Sequence, residues 1–197
     1  MNSNARTILL AVVITCLVSV LLTATCVYSG MYNVSAAGRQ QGIAAAALRT
    51  IADRSIRSHA TAVVPPLVDS LAIESAALRF HTECVVCHGA PGVPRGEIGE
   101  GLNPAAPELS ARAARVRSEP ELFWIIRNGI RFSGMPSFQQ SHSDDQIWAI
   151  ARFVKQMDGM TELRYEAIFR AIMLKNGGVL PGVPAGAAHE HAMPPAP

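Results

Sequence analysis

The stretch from Phe80 to Gly92, FHTECVVCHGAPG, decides the fold of this chain. It places Cys84, Cys87 and His88 within five residues, in the pattern Cys-X-X-Cys-His. Two cysteines and a histidine can form a haem attachment site, half of a zinc site, a redox dithiol, or a structural disulfide with a histidine nearby. Each of these sites belongs to a different kind of protein, so the flanking sequence has to separate them.

The spacing of the two cysteines favours covalent haem attachment. Cysteines at positions i and i+3 can each form a thioether with a haem vinyl group, and the adjacent histidine then reaches the iron. A structural zinc site needs a second pair of ligands, whereas the other histidines of this chain are scattered. A thioredoxin-like pair needs a strand before the motif, and the pattern here is helical. We therefore expect one haem c bound through Cys84 and Cys87, with His88 as an axial ligand of the iron.

A second axial ligand is predicted in NGIRFSGMPSF, residues 128–138. Met135 stands there between Gly134, which lets the backbone approach the haem, and Pro136, which fixes the chain after the ligand. A thioether favours ferrous iron, so His/Met ligation raises the reduction potential and closes the sixth position. This is the ligand set of an electron carrier. His142 is the substitute ligand.

Composition limits the class of protein. The 197 residues include 15 glycines and 13 prolines but only 6% aromatics, which predicts a loop-rich domain with a small core. Such a core indicates a cofactor or another internal cross-link. The net charge is only +2 and no basic run contains interleaved aromatics, so nucleic acid is not an expected partner.

Residues 1–29 are predicted to form a single transmembrane helix. No charge lies between Arg6 and Arg39, and Ile8 to Val27 is almost continuously apolar. A helix of this length crosses a hydrocarbon core of about 30 Å. A cleaved signal peptide is the alternative, although the apolar run is long for one. We expect a single-pass protein of the cytoplasmic (inner) membrane with its body on the periplasmic side.

Residues 30–69 are predicted to contain a juxtamembrane amphipathic helix, from Arg39 to His59, and a linker with Pro65 and Pro66. The helix could lie on the membrane, dock a partner, or act as a solvated spacer. Its predicted apolar arc comprises Ile43, Ala44, Ala47, Leu48 and Ile51.

Residues 70–159 are predicted to form one helical domain, because no strand pattern is convincing. Two helices begin with capping boxes, Ser118 with Glu121 and Ser143 with Gln146. The loop from His88 to Ser110 is expected to wrap a ligand through Val93, Ile98 and Leu102. The predicted helices are Ala72–Glu83, Ser118–Asn128 and Ser143–Met157, the last with a buried stripe of Ile147, Ile150, Ala151 and Val154.

The C-terminal part is predicted to be an additional helix followed by a tail. The helix lies within residues 160–177, from about Glu162 to Lys175. Residues 178–197 are rich in proline, glycine and alanine, so we expect them to be disordered. The tail contains HEHAM, His189 to Met193, whose histidines and methionine make copper binding a minor alternative function.

The order of these motifs resembles that of the class I c-type cytochromes. The matching segments are CVVCHG, NPAAPELS, ELFWIIRNG, GMPSF and DDQIWAIARFVKQM, which together cover about Ser70 to Met157. The resemblance implies an all-α fold with long loops around one haem. It also implies a first and a last helix that cross with Phe80 against Trp148, at a close approach allowed by Ala76 or Ala77.

The same resemblance implies further contacts of the haem site. A backbone carbonyl near Pro104 to Pro107 is expected to accept the Nδ1 proton of His88. Three side chains, those of Trp124, Arg127 and Arg131, are candidates to contact the haem propionates, with ordinary packing and solvation as the alternative.

The sequence as a whole predicts a membrane-tethered monohaem cytochrome that transfers single electrons. Its expected partners are redox proteins: a dehydrogenase, a quinol-oxidising complex or a terminal oxidase. No catalytic residue and no small-molecule substrate are predicted, so we expect a carrier or an electron-transfer subunit rather than an enzyme. The alternative is a haem enzyme or gas sensor in which Met135 dissociates and opens the sixth position of the iron.

Overall fold

The computed structural model describes residues 2–31, 33–38, 42–61, 64–109 and 116–175. The chain divides into two compact units, Met1–Ala36 and Ala37–Pro197. The described residues form helices and irregular loops without a strand, and an isolated bridge joins Ala90 to Val93. The predicted all-α class is therefore confirmed for this part of the chain. The predicted tail, with His189 and Met193, lies outside the described residues.

The first unit contains one long helix, α1, Ser3–Tyr28. Its 26 residues have a mean hydropathy of 2.7, and at roughly 1.5 Å per residue they extend over about 39 Å. Hydroxyl groups of this helix donate to carbonyls one turn earlier, as Thr15 does to Ala11 at 2.9 Å and Ser19 to Thr15 at 2.8 Å. The helix is long and apolar enough for a single-pass membrane anchor, although a signal sequence meets the same criteria.

The second unit contains the remaining described helices. A π-helical turn, Phe80–Cys84, joins α3 directly to α4, and neither this turn nor the short α5 was predicted. The helices are α2 Ile43–Ala60, α3 Ser70–Arg79, α4 Val85–His88, α5 Glu97–Gly101, α6 Glu119–Asn128, α7 Asp144–Gln156 and α8 Glu162–Lys175.

The core lies between α3, α6 and α7. Ala76 and Ala77 are buried on α3, where their small side chains permit a close crossing with α7. The largest fully buried side chains are Phe80, Ile147, Phe153, Val154 and Met157. All four residues of the predicted stripe on α7 are buried, which confirms that prediction.

The predicted contact between Phe80 and Trp148 is wrong. The ring of Phe80 packs against Phe153, with 5.6 Å between centroids, and Trp148 stacks on Phe123 at 4.2 Å. Positions five apart on a helix point in clearly different directions, so α7 turns Phe153 toward α3 and Trp148 toward α6. Two different aromatic pairs therefore connect α7 to its two neighbours.

Both predicted capping boxes are present. Ser143 accepts from the backbone of Gln146 at 3.3 Å, and the Gln146 side chain accepts from the Ser143 backbone at 3.1 Å. Ser118 and Glu121 make the equivalent pair at the start of α6. Burial acts to raise the pKa of Glu121, but hydrogen bonds from Ser118 and the charge of Arg117 outweigh it and hold this pKa below its ordinary value.

Helix α2 packs on α6. The alternative prediction that this helix is a solvated spacer is therefore wrong. Ile56, Ala45 and Ala60 are buried. The ring of His59 stacks on Trp124 with 5.4 Å between centroids, and Arg117 forms an ion pair with Asp53. The face that packs is not the predicted arc, whose five residues are all exposed.

Helix α8 packs against α3 and the π-helical turn. Tyr165 and Ile172 are buried on its inner side. The Nδ1 atom of His81 lies 3.0 Å from the Tyr165 hydroxyl, and the His81 ring stacks on Phe169 at 3.8 Å. Burial and the nearby Cys84 thiol raise the pKa of Tyr165. This helix therefore covers one side of the segment that carries the cysteines.

Candidate functional site

The Cys-X-X-Cys-His motif occupies the end of the π-helical turn and the whole of α4. The backbone N–H of Val85 donates to Phe80 O, five residues earlier, which is the bond that defines the wider turn. Such turns often occur at functional sites. Both Cys84 and Cys87 are partly exposed, and no disulfide joins them. Burial, then the charge of Glu83, raises the pKa of Cys84 to about 12.

His88 is held by its Nδ1 atom, which lies 2.8 Å from the carbonyl oxygen of Pro107. Because a carbonyl only accepts, Nδ1 carries a proton, and in the neutral ring Nε2 then keeps its lone pair. The predicted carbonyl contact in Pro104 to Pro107 is thus confirmed. Burial lowers the pKa of His88, and the charge of Arg95 lowers it further against the effect of the Pro107 bond. Both the lowered pKa and the Pro107 bond favour the form of the ring that presents Nε2 to a metal.

The loop after His88 folds tightly on α4. Gly96 N donates to Val86 O at 3.1 Å. A Cβ atom at Gly99 would lie 2.5 Å from the carbonyl oxygen of Cys87, so only glycine allows this approach. Arg95, just before Gly96, donates to Ala106 O at 2.6 Å. These bonds hold the segment that supplies the Pro107 carbonyl.

The predicted wrapping residues of this loop have different environments. Val93 packs against the core, whereas Ile98 is 64% exposed and Leu102 is partly buried. Val86, inside the motif, is also partly exposed. These apolar side chains lie near two cysteines and an oriented imidazole. Such a surrounding fits a haem, whose flat faces are apolar and whose iron takes a histidine nitrogen.

Met135 lies in a loop that folds back on the end of α6. Gly129 ends this helix with φ of 68°, and Ile130 N donates to Met135 O at 3.2 Å. The Met135 backbone N–H donates to Ser133 Oγ at 3.2 Å. A Cβ atom at Gly134 would lie 2.2 Å from Leu102 Cδ2. The methionine loop therefore touches the loop that follows the Cys-X-X-Cys-His motif.

The candidate propionate contacts have other partners. Trp124 stacks on His59. Arg127 donates to Asp144 at 2.9 Å and to Gln139 at 3.0 Å, while Arg131 is exposed. The packing interpretation accounts for the contacts of Trp124 and Arg127.

His142 is buried, and its ring takes part in a polar network. Its Nε2 atom lies 3.1 Å from Glu83 Oε2 and 3.2 Å from Arg79 Nη1, and its Nδ1 atom lies 2.9 Å from Ser141 Oγ. Both ring nitrogens are engaged, so the structure does not favour His142 as an iron ligand. No group of three or more His, Cys, Asp or Glu residues that could hold a metal ion occurs in the described ranges.

One feature of the site could not be found from the sequence pattern. Phe132, three residues before Met135, has φ of 61° and is 72% exposed. A bulky residue in this left-handed region is uncommon and costs about 1 kcal/mol or more. The side chain recovers little of that energy by burial within the described protein.

Comparison with known proteins identifies the part of the chain that carries this site. The model of a family described as "Cytochrome C oxidase, cbb3-type, subunit III" matches residues 72–154, somewhat less than half of the chain. A comparison with curated proteins found no match. The matched range includes the cysteine motif, the Pro107 carbonyl, the methionine loop and nearly all of α7. Residues 72–154 therefore form a class I c-type cytochrome domain, with covalently bound haem c, that serves electron transfer.

Proposed function

We propose that the protein is a membrane-tethered monohaem electron carrier in which His88 and Met135 are the axial ligands and Cys84 and Cys87 form the thioethers. The observation that carries this proposal is the 2.8 Å contact between His88 Nδ1 and Pro107 O. A neutral imidazole with a fixed ring orientation is what an axial nitrogen ligand needs, because Nδ1 then carries the proton and Nε2 the lone pair.

The bound haem would supply a reversible one-electron couple at iron. The chain's own residues would keep both axial positions of the iron occupied during electron transfer. His88 keeps one orientation, and the thioether of Met135 would occupy the sixth position and exclude small molecules. The hydrogen bonds of Ile130 and Ser133 to the Met135 backbone restrict the movement of this loop. The arrangement favours a carrier or an electron-transfer subunit with no small-molecule substrate.

The proposed partners belong to a respiratory chain. The matched family is described as subunit III of a cbb3-type cytochrome c oxidase, which makes a terminal oxidase the leading candidate acceptor. Dehydrogenases and quinol-oxidising complexes are the candidate donors. Helix α1 would hold the chain in the cytoplasmic membrane, with residues 70–159 as the cytochrome domain on the periplasmic side.

Electron exchange in membranes tests this function. Membranes that contain the full chain are made anaerobic and supplied with a respiratory substrate, and the absorption bands of the reduced c-type haem are followed. We expect reduction by the substrate and reoxidation when oxygen is admitted. Membranes from cells without the chain are the control. A haem that neither the substrate reduces nor oxygen reoxidises would contradict the proposal.

Covalent attachment is tested through the cysteines. In Cys84→Ala with Cys87→Ala, we expect no haem to remain on the denatured chain in a gel stained for haem. Each single variant is expected to retain one thioether and a weaker signal. Cys16→Ala with Cys26→Ala is the matched control, because both cysteines lie in α1 outside the matched domain. Haem retained by the double variant at 84 and 87 would contradict the assignment.

A further inference from the structure

Helix α2 has two apolar faces, and the domain uses one of them. Ala45, Ile56 and Ala60 are buried against the rest of the domain. On the other side, Ile43 is 90% exposed and Ile51 is 63% exposed. The helix thus leaves its larger apolar stripe in contact with solvent.

The exposed residues form one continuous strip. Steps of three or four residues along a helix return to the same side. We call the following residues the outer face of α2: Ile43, Ala47, Ile51, Arg54 and Ser58, which are all exposed. Leu48, 40% exposed, borders the apolar half of this face. The outer face is therefore apolar in its first half and polar and basic in its second.

The charges of α2 are almost all positive. Arg49, Arg54 and Arg57 are exposed, and Arg57 lies 3.9 Å from the Glu121 carboxylate. The single acidic residue of the helix is Asp53, and it forms an ion pair with Arg117. A shallow depression near Arg54 and Arg57 is also lined by the hydroxyl-bearing residues Thr50, Ser55, Ser58 and Thr61, and by Asp53, whose charge is paired with Arg117. This surface complements an anion such as a phosphate group.

The chain also keeps α2 close to a membrane if α1 spans one. The 14 residues from 29 to 42 separate the two helices, and fully extended they would reach about 50 Å. A tether of this length converts weak surface binding into an intramolecular event. An amphipathic helix that would bind lipid poorly on its own can then remain at the surface.

We propose that the outer face of α2 lies in the interfacial region of a membrane that contains anionic phospholipids. Ile43 and Ile51 would enter the boundary of the acyl chains, and Arg54 would contact lipid phosphate. The inference rests on the proposed anchoring role of α1. Because Ile56 and the His59–Trp124 stack fix α2 to α6, the docked helix would restrict the orientation of the whole cytochrome domain toward its partners.

The test uses the full, haem-loaded chain in vesicles, with Cys16→Ala and Cys26→Ala to remove the other thiols. A nitroxide label on Ile51→Cys reports its access to oxygen, which enters lipid, and to a water-soluble nickel chelate. In vesicles of phosphatidylcholine with phosphatidylglycerol, we expect nickel access at least several-fold lower than for Leu163→Cys. Leu163 is the matched control because it is a 78% exposed apolar residue on α8.

A second variant tests the charge contribution. Arg54→Glu in the Ile51→Cys background should restore nickel access several-fold, and its thermal midpoint should stay unchanged because Arg54 is exposed. Equal nickel access at Ile51→Cys and Leu163→Cys would overturn the proposal. So would protection at Ile51→Cys that appears only when a partner protein is added. Flotation with the vesicles tests α1 separately, since a chain that floats without protecting Ile51→Cys contradicts only the docking of α2.

Discussion

Replacing Met135 with alanine is expected to lower the reduction potential of the haem by an amount on the order of a few tenths of a volt. The physical reason is the loss of a soft thioether, which favours ferrous iron. Water or an added ligand can then reach the sixth position. The weak sulfur-to-iron absorption band of the ferric protein should disappear. Redox titration and the ferric spectrum measure both effects.

Met160→Ala is the matched control for this experiment. Met160 is also partly buried and packs against the core, but it lies beyond the matched domain. Its removal should affect stability and leave the sulfur-to-iron band in place. A high-spin ferric spectrum in the unaltered protein would instead indicate an open sixth position. That result would favour the haem enzyme or gas sensor over the carrier.

Gly129→Ala is expected to reduce the free energy of unfolding by about 3 kcal/mol. Two costs combine at this position. The φ of 68° is unfavourable for alanine, and a Cβ atom would lie 2.6 Å from the carbonyl carbon of Pro136 and 2.8 Å from Met135 O. Both of these atoms belong to the backbone, which cannot rotate away as a side chain can. The methionine loop has to move, so we also expect a weaker sulfur-to-iron band.

Gly159→Ala separates the two costs. Gly159 has a similar φ of 73°, but nothing lies within 4 Å of the position of its Cβ atom. Only the backbone cost remains, about 1 kcal/mol. Chemical denaturation followed by circular dichroism compares the two variants in the same detergent. Equal losses in both would show that the approach of Gly129 to the methionine loop contributes nothing.

Local rules were sufficient for the elements whose signals lie within a few residues. The capping boxes at Ser118 and Ser143 predicted the starts of α6 and α7, because the cap and its partner are three positions apart. The periodicity of α7 predicted its buried stripe for a similar reason. Local spacing did not predict the carbonyl partner of His88. That prediction came from the resemblance to class I cytochromes.

Features set by packing could not be predicted in this way. The apolar arc of α2 indicated a face for a membrane or a partner, but it gave no sign that the opposite face packs on the domain, where α2 contacts Trp124 and Arg117 of other segments. The partner of Phe80 depended on how α7 is rotated between α3 and α6. The π-helical turn has no sequence signal of its own, because its wider hydrogen bond forms only within the folded segment.

The crossing of α3 and α7 has a consequence for cooperativity. Ala76 on α3 and Ile147 on α7 are both fully buried in one core, although about 70 residues separate them along the chain. The packing of α3 on α7 closes a long loop that contains the cysteine motif and the methionine loop, and the entropy cost of that closure is offset only when both helices are docked. Release of either helix would therefore loosen both ligand segments together, so the two halves of the haem site share one unfolding transition.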